Sequence, residues 1–220
     1  MSRRANGLQY NTTTVQVETF CLYGLTFSHN YGLEAQKRQT MMTSVDTIIR
    51  KYYASNPALM NILVRHSEAV AQKALSIAKA HPELEADLTF LEEAAMLHDI
   101  GIVKTDAPGI ECYGTEPYIC HGILGAAMLR DEGLPRHARV CERHTGAGLL
   151  CEDIIGQNLP LPHHDFLPET IEEQMVCYAD KFFSKTKLDR EKTLQQAERS
   201  VAKHGEKGLL RFRHWEQMFE

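Results

Sequence analysis

Residues 88–101 read LTFLEEAAMLHDIG, and this stretch decides the class of fold. Leu91, Ala95 and His98 follow one another at spacings of four and three residues, which places them on one face of a helix. Gly101 ends this helix, because glycine readily adopts the backbone conformation that closes a helix. The pattern predicts an amphipathic helix in which a histidine takes an inward, normally apolar position, with an aspartate directly after it.

The same replacement of an apolar by a polar residue recurs on other amphipathic segments. His66 lies between Ile62 and Val70 at helical spacing. Three further residues occupy inward positions on separate segments: His121, His144 and Asp180. A single core histidine is usually hydrogen-bonded, but each buried polar group left without a partner costs roughly 1–3 kcal/mol. Because one shared metal site would satisfy all of these groups, the pattern predicts such a site between the helices.

The ligand types indicate the metal. Histidines and carboxylates without a thiolate suit iron, manganese, cobalt or nickel better than structural zinc, and magnesium also fits. Four histidines and two aspartates are enough for one or two divalent ions, and the carboxylate of Asp99, next to His98, can bridge a pair of them. Two such ions can generate a hydroxide near neutral pH and hold the oxygens of a phosphoryl group.

From residue 42 onward the pattern is helical, and it predicts an all-α, compact bundle of about seven or eight helices. Two stretches rich in glycine and proline, residues 101–120 and 146–168, predict long loops of the kind that often carry function. Residues 1–41 have a different character. We expect them to form a peripheral N-terminal arm, either poorly ordered or an upstream extension of the reading frame, beside one helical domain at 42–220.

Composition limits the classes of partner. The formal net charge is -5 and the pI is about 6.1, so we expect no binding of nucleic acid polymers, which requires an excess of bases. No apolar run approaches the roughly 20 residues that span a membrane. The six cysteines have neither zinc-knuckle nor disulfide-framework spacing. Reduced thiols of this kind predict a cytoplasmic protein.

The ordered set of polar residues resembles a known family. Met96-Leu-His-Asp-Ile-Gly101 is similar to the His-Asp-x-Gly signature of the HD superfamily of metal-dependent phosphohydrolases. Other stretches resemble the family's further motifs: Arg65-His66-Ser67, His144-Thr-Gly-Ala-Gly148, Pro168-Glu-Thr-Ile-Glu-Glu173 and Tyr178-Ala-Asp-Lys181. The resemblance spans residues 44 to about 215. It implies an all-α HD-domain bundle.

The resemblance also implies roles for these residues. It makes His66, His98, Asp99 and Asp180 the basic metal site, and it makes His121 and His144 the extra histidines of two-metal members, with Asp99 as the bridge. The implied activity is hydrolysis of a small phosphorylated or nucleotide-like substrate by a metal-bound hydroxide that Asp99 orients. Two alternatives stay open, because some members with six ligands are di-iron oxygenases and some HD modules only bind nucleotides.

Other candidate residues concern the substrate and the ligands. Many relatives have a lysine directly after the His-Asp-x-Gly signature, where this chain has Ile102. We therefore expect Lys104 or Lys181 to contact the substrate phosphate, and Thr145 to bind a phosphate oxygen.

Two residues beside the ligands, Arg65 and Glu142, are candidates for orienting the imidazoles. The bases between Lys181 and Arg190 either form a basic rim to the site or belong to an ordinary solvated helix face.

Overall fold

The structure is a computed structural model, and it describes residues 44–203 and 205–220. The arm predicted at residues 1–41 lies outside these residues. Within them the protein is predominantly helical, which confirms the predicted class of fold. None of the described helices is both long enough and apolar enough to cross a membrane.

Nine α-helices occur in the described residues, slightly more than predicted. They are α1 (44–53), α2 (Pro57–Ala80), α3 (Leu88–Leu97), α4 (His121–Asp131), α5 (Pro135–Arg143), α6 (Cys151–Gly156), α7 (Ile171–Asp180), α8 (Leu194–Ala202) and α9 (Glu206–Phe219). The short α6 falls inside a predicted loop, which accounts for part of the difference. The remainder arises where one or two charged helices were expected and α8 and α9 are found.

Local capping explains where several helices begin. The Asn56 side chain accepts a hydrogen bond from the Leu59 amide at 3.1 Å, and Pro57 opens α2. The Asp87 carboxylate caps α3 in the same way. Thr170 and Glu173 form a reciprocal capping box at the start of α7. These caps set the first turn, and so the rotation, of helices that carry candidate ligands.

The predicted loop at 101–120 contains a small sheet that the sequence analysis did not anticipate. It comprises β1 (Thr105–Ala107), β2 (Cys112–Tyr113) and β3 (Glu116–Pro117), in the order β2-β1-β3. The first strand pairs antiparallel with β2 and parallel with β3. This sheet orders a glycine- and proline-rich segment into one wall of the cavity described below.

The core brings the ligand-bearing ends of the helices together. Helix α2 packs on α3 and α7, and α4 packs on α5 and on the 3-10 turn Ile100–Lys104 that follows the His98-Asp99 pair. The buried Tyr53 hydroxyl donates a hydrogen bond to the Ile100 carbonyl at 2.7 Å. It thereby ties the end of α3 to α1.

Gly101 allows the backbone of α4 to approach the segment that follows α3 closely. A Cβ atom on Gly101 would lie 2.1 Å from the His121 carbonyl oxygen and 2.3 Å from the Gly125 nitrogen. Only glycine fits there, and α4 can therefore place its first residue beside Asp99.

Candidate metal centre

Four ligand-type residues converge from three helices. His66 comes from the middle of α2, His98 and Asp99 from the end of α3, and Asp180 from the end of α7. The His66 Nε2 atom lies 3.1 Å from Asp99 Oδ2 and 3.0 Å from Asp180 Oδ1. The His98 Nε2 atom lies 3.0 Å and 3.6 Å from the same two oxygens. These four residues form the first cluster.

Asp99 also belongs to a second cluster, with His121 and His144. Its Oδ1 atom lies 3.5 Å from His121 Nε2 and 3.4 Å from His144 Nε2. The two imidazole Nε2 atoms are 3.1 Å apart. One oxygen of Asp99 thus faces each cluster, which is the geometry that a bridging carboxylate requires.

Backbone carbonyls fix the orientation of three imidazoles. The Nδ1–H of His98 donates to the Ala95 carbonyl at 2.6 Å. His121 and His144 donate in the same way, at 2.7 Å each, to the carbonyls of Tyr118 and Cys141. Each acceptor lies three residues before its histidine. This contact turns Nε2 inward, towards the other ligands, as metal ligation needs.

The buried atoms of the clusters fit a divalent cation. His66, His98 and Asp99 are almost completely buried, yet the Nε2 atoms of both histidines and both Asp99 oxygens have no partner in hydrogen-bonding geometry among the described residues. Orphaned polar groups of this kind are expensive in a protein interior. They are the same atoms that converge, so a bound cation would satisfy them together. The residues can therefore hold one or two divalent ions.

Protonation is unevenly distributed over the ligands. Burial alone lowers the pKa of His98, but the Asp99 and Asp180 carboxylates outweigh it and raise that pKa to about 9. Burial lowers the pKa of His121 to about 3, and it also lowers the pKa of His144. In the metal-free protein, His98 is therefore protonated, whereas the imidazoles of His121 and His144 are neutral.

Both carboxylates stay ionised. Burial raises the pKa of Asp99, but the His98 imidazolium and the Lys185 ammonium hold it well below its usual range. Asp180 behaves similarly, because Lys181 offsets the cost of its burial. Ionised carboxylates are the form that binds metal ions.

Two ammonium groups lie beside the carboxylates. The Lys185 Nζ atom is 2.6 Å from Asp99 Oδ2, and its side chain is only 12% exposed. The Lys181 Nζ atom is 2.6 Å from Asp180 Oδ2, and it donates to the His144 carbonyl at 3.2 Å. Lys181 was predicted to lie at the site. Lys185 was missed, because it follows the end of α7 and no helical periodicity reaches it; its one signal was the run of bases after Lys181.

The structure does not bring the other predicted residues to the clusters. Lys104 is exposed at the end of its 3-10 turn, and Thr145 is half-buried; neither lines the cavity described next. Arg65 forms an ion pair with Asp189. Glu142 accepts from Arg130 at 2.5 Å. At His144 the Cys141 carbonyl makes the orienting contact expected of Glu142, whereas His66, next to Arg65, has no hydrogen-bond partner at Nδ1 among the described residues.

A cavity of about 450 Å³ opens onto the clusters. Asp180, Lys181 and Lys185 line one side of it, and Tyr118 and Gly146 contribute from the two predicted loops. The Tyr118 ring stacks on His121 with 4.8 Å between ring centroids. The volume is within the range of small-molecule sites, so the clusters lie at the wall of a pocket of that size.

Helix ends that carry buried histidines and aspartates, facing a cavity, define a helical protein with a site for divalent metal. The model of the HD domain matches residues 63–184, and the chain belongs to the HD domain family. No solved structure matches the chain significantly.

Three relatives are similar to this chain. The tRNA (cytidine(56)-2'-O)-methyltransferase of Thermoplasma volcanium is 35% identical over 159 residues, covering 72% of this chain and 40% of the relative. The enzyme of the same name from Picrophilus torridus is 37% identical over 137 residues, covering 62% and 35%. An uncharacterised protein of Methanocaldococcus jannaschii is 34% identical over 146 residues, covering 64% and 79%. The chain thus spans less than half of each methyltransferase.

Proposed function

We propose that this protein hydrolyses a phosphate ester or phosphoanhydride bond in a small, nucleotide-like molecule. The observation that carries the proposal is the pairing of two ammonium groups that line the cavity, Lys181 and Lys185, with the carboxylate ligands Asp180 and Asp99. Ligands for cations and donors for anions thus lie side by side. Phosphoryl transfer needs both.

The chain would hold its ions with the two clusters. In the proposal, the first cluster would hold one divalent ion, and Asp99, which belongs to both clusters, would hold a second with His121 and His144. Iron, manganese, cobalt, nickel and magnesium all suit histidine and carboxylate ligands. When bound, such ions lower the pKa of water and stabilise negative charge on phosphoryl oxygens.

The lysines would bind the substrate phosphate. Burial lowers the pKa of Lys185, but the nearby Asp99 carboxylate raises this pKa by more than burial lowers it. The ammonium group therefore stays charged at all physiological pH values. A permanently charged ammonium cannot serve as a general base, but it can donate hydrogen bonds to phosphate oxygens. Burial also raises the pKa of Tyr118 to about 12, so its hydroxyl is a neutral donor on the same wall.

We do not extend methyl transfer to this chain. More than half of each methyltransferase has no counterpart in the aligned region, whereas the Methanocaldococcus jannaschii protein is matched over 79% of its length. An alignment that covers most of this shorter protein supports an activity separate from methyl transfer. The irregular spacing of the cysteines supports our further proposal of a cytoplasmic location.

The test combines elemental analysis with a hydrolysis screen on the full-length protein. We expect purified protein to carry iron, manganese or a similar ion and to release phosphate from a nucleotide or a phosphate ester. Asp99→Ala should lose the ion, and turnover should fall at least about a hundred-fold, since even partners that only orient metal ligands contribute 10–100-fold. Asp131→Ala, at an exposed carboxylate of α4, is the matched control.

Other outcomes would reject the proposal. A metal-free wild type with an equally active Asp99→Ala variant would exclude a metal-dependent mechanism. Oxygen uptake without phosphate release, together with a mixed-valent iron signal in electron paramagnetic resonance, would favour an oxygenase. Thermal melting verifies that each variant folds, and Asp99→Asn replaces the alanine variant if it does not.

A further inference from the structure

A second cavity, of about 480 Å³, is lined by five basic residues. We call it the basic groove and define it by Lys187, Arg190, Lys192, Arg199 and Lys203. Its other lining residues are neutral, with hydroxyl or amide side chains, and no acidic residue of the described chain lines it. A groove of one sign is notable in a protein whose formal net charge is -5. The positive charge is therefore local.

The basic groove continues the cavity at the metal centre. Ser184, Thr186, Lys192 and Ser200 line both spaces. The two cavities are therefore adjacent, and a ligand larger than one phosphate could contact the linings of both.

The acidic residues of the same segments are paired elsewhere. Asp189 forms an ion pair with Arg65 of α2, and Glu191 lies 3.1 Å from Lys73 of the same helix. Glu198 of α8 accepts from Arg213 of α9 at 2.7 Å.

Each acid that could neutralise the groove is thus held by a base from another helix. Lys187, Arg190, Arg199 and Lys203 are exposed, and none has an ion-pair partner among the described residues.

Lys192 is held in place at the junction. Its ammonium donates to the Lys181 carbonyl at 2.9 Å and to the Phe183 carbonyl at 3.4 Å. Burial lowers its pKa; the Asp180 carboxylate opposes this effect, and the neighbouring ammonium groups add to it. A cation held among like charges favours an anionic occupant.

We propose that the basic groove binds a second phosphate group of the substrate, beyond the one that is hydrolysed. The substrate class is then a small molecule with several phosphates, such as a nucleoside polyphosphate. Two arginines can each bind a phosphate through paired N–H groups, and the hydroxyl-bearing residues add neutral donors. This inference rests on the proposed function, because the first phosphate is assigned to the metal centre.

The test is calorimetric binding of inorganic tripolyphosphate to the metal-loaded, full-length protein. Arg199→Gln/Lys203→Gln removes two exposed charges of the groove. Arg50→Gln/Lys79→Gln removes the same charge from exposed positions on α1 and α2, so it is the matched control. We expect the groove variant to bind about ten-fold more weakly and the control to match wild type, since a few charge-assisted contacts carry this difference. Metal content and melting temperature are measured for all three proteins.

Three results would overturn the inference. The first is a wild type that does not bind tripolyphosphate, and the second is equal binding by all three proteins. The third is an equal loss of affinity in both variants. Tighter binding of a ten-nucleotide single-stranded RNA that depends on Arg199 and Lys203 would replace the small molecule with a polymer. Phosphate release is assayed in the same samples, so binding is recorded separately from turnover. A failed hydrolysis screen with intact groove binding then counts against the proposed function alone.

Discussion

The metal centre and the basic groove handle charge in opposite ways. In the centre, carboxylates, imidazoles and two ammonium groups are buried together, and every charge has an opposite charge within 4 Å. In the groove all five charges are of one sign, and four of them are exposed. The acids of the same segments pair with Arg65, Lys73 and Arg213. A buried, balanced cluster holds cations in a fixed geometry, whereas an unbalanced groove attracts anions.

Lys185 shares one property with each region. It is buried like the ligands of the metal centre and positively charged like the lining of the basic groove. We expect Lys185→Met to lower kcat/KM by about a hundred- to a thousand-fold, the range measured when one buried donor to a transition-state charge is removed. The bound metal should stay, because the ammonium no longer competes for Asp99. Steady-state kinetics and elemental analysis measure the two effects.

The matched control is Lys79→Met, at an exposed position near the end of α2. Loss of the metal in Lys185→Met would instead mean that this lysine supports the ligands. Unchanged kinetics would remove it from the site.

Gly101→Ala should disrupt the metal centre by displacing helix α4. The new Cβ would meet two backbone atoms of α4 at 2.1 Å and 2.3 Å, so α4 must move away from Asp99. We expect the free energy of unfolding to fall by about 3 kcal/mol, as for other overpacked sites. Urea unfolding measures it.

Gly156→Ala in α6 is the control, because no atom lies within 4 Å of its added Cβ. That variant should be as stable as wild type or slightly more stable. Equal stability of the two alanine variants would contradict the close approach of α4.

The smallest expected effect is the pH dependence of metal binding at the metal centre. His98 carries a proton below a pKa of about 9 in the metal-free protein, and a ligating imidazole must be neutral. Metal affinity should therefore rise with pH by up to about ten-fold per unit, until about pH 9. Chelator competition at several pH values measures this slope.

Calorimetry in two buffers of different ionisation enthalpy should detect the released proton. A pH-independent affinity, with no proton release, would mean that His98 is already neutral in the metal-free protein.

The sequence alone located most of the helical framework and singled out the six residues that form the two clusters. This was possible because a polar residue that interrupts an apolar stripe must face the core and must find a partner there. His66, His98 and His121 each stand out in this way on their own helices. The predicted end of α3 at Gly101 was wrong: the helix ends at Leu97, and Gly101 lies in the 3-10 turn Ile100–Lys104, where it allows the close approach of α4.

Only the tertiary structure decided which charges meet. Lys185 reaches Asp99 from an irregular segment. Backbone carbonyls orient His98 and His144, whereas Arg65 and Glu142 pair with other side chains. The basic groove exists because three acids pair with bases from helices far away in the sequence. A run of mixed charge specifies no partners by itself, since the choice depends on which helix faces pack together. The folded chain sets the balance of charge in each region.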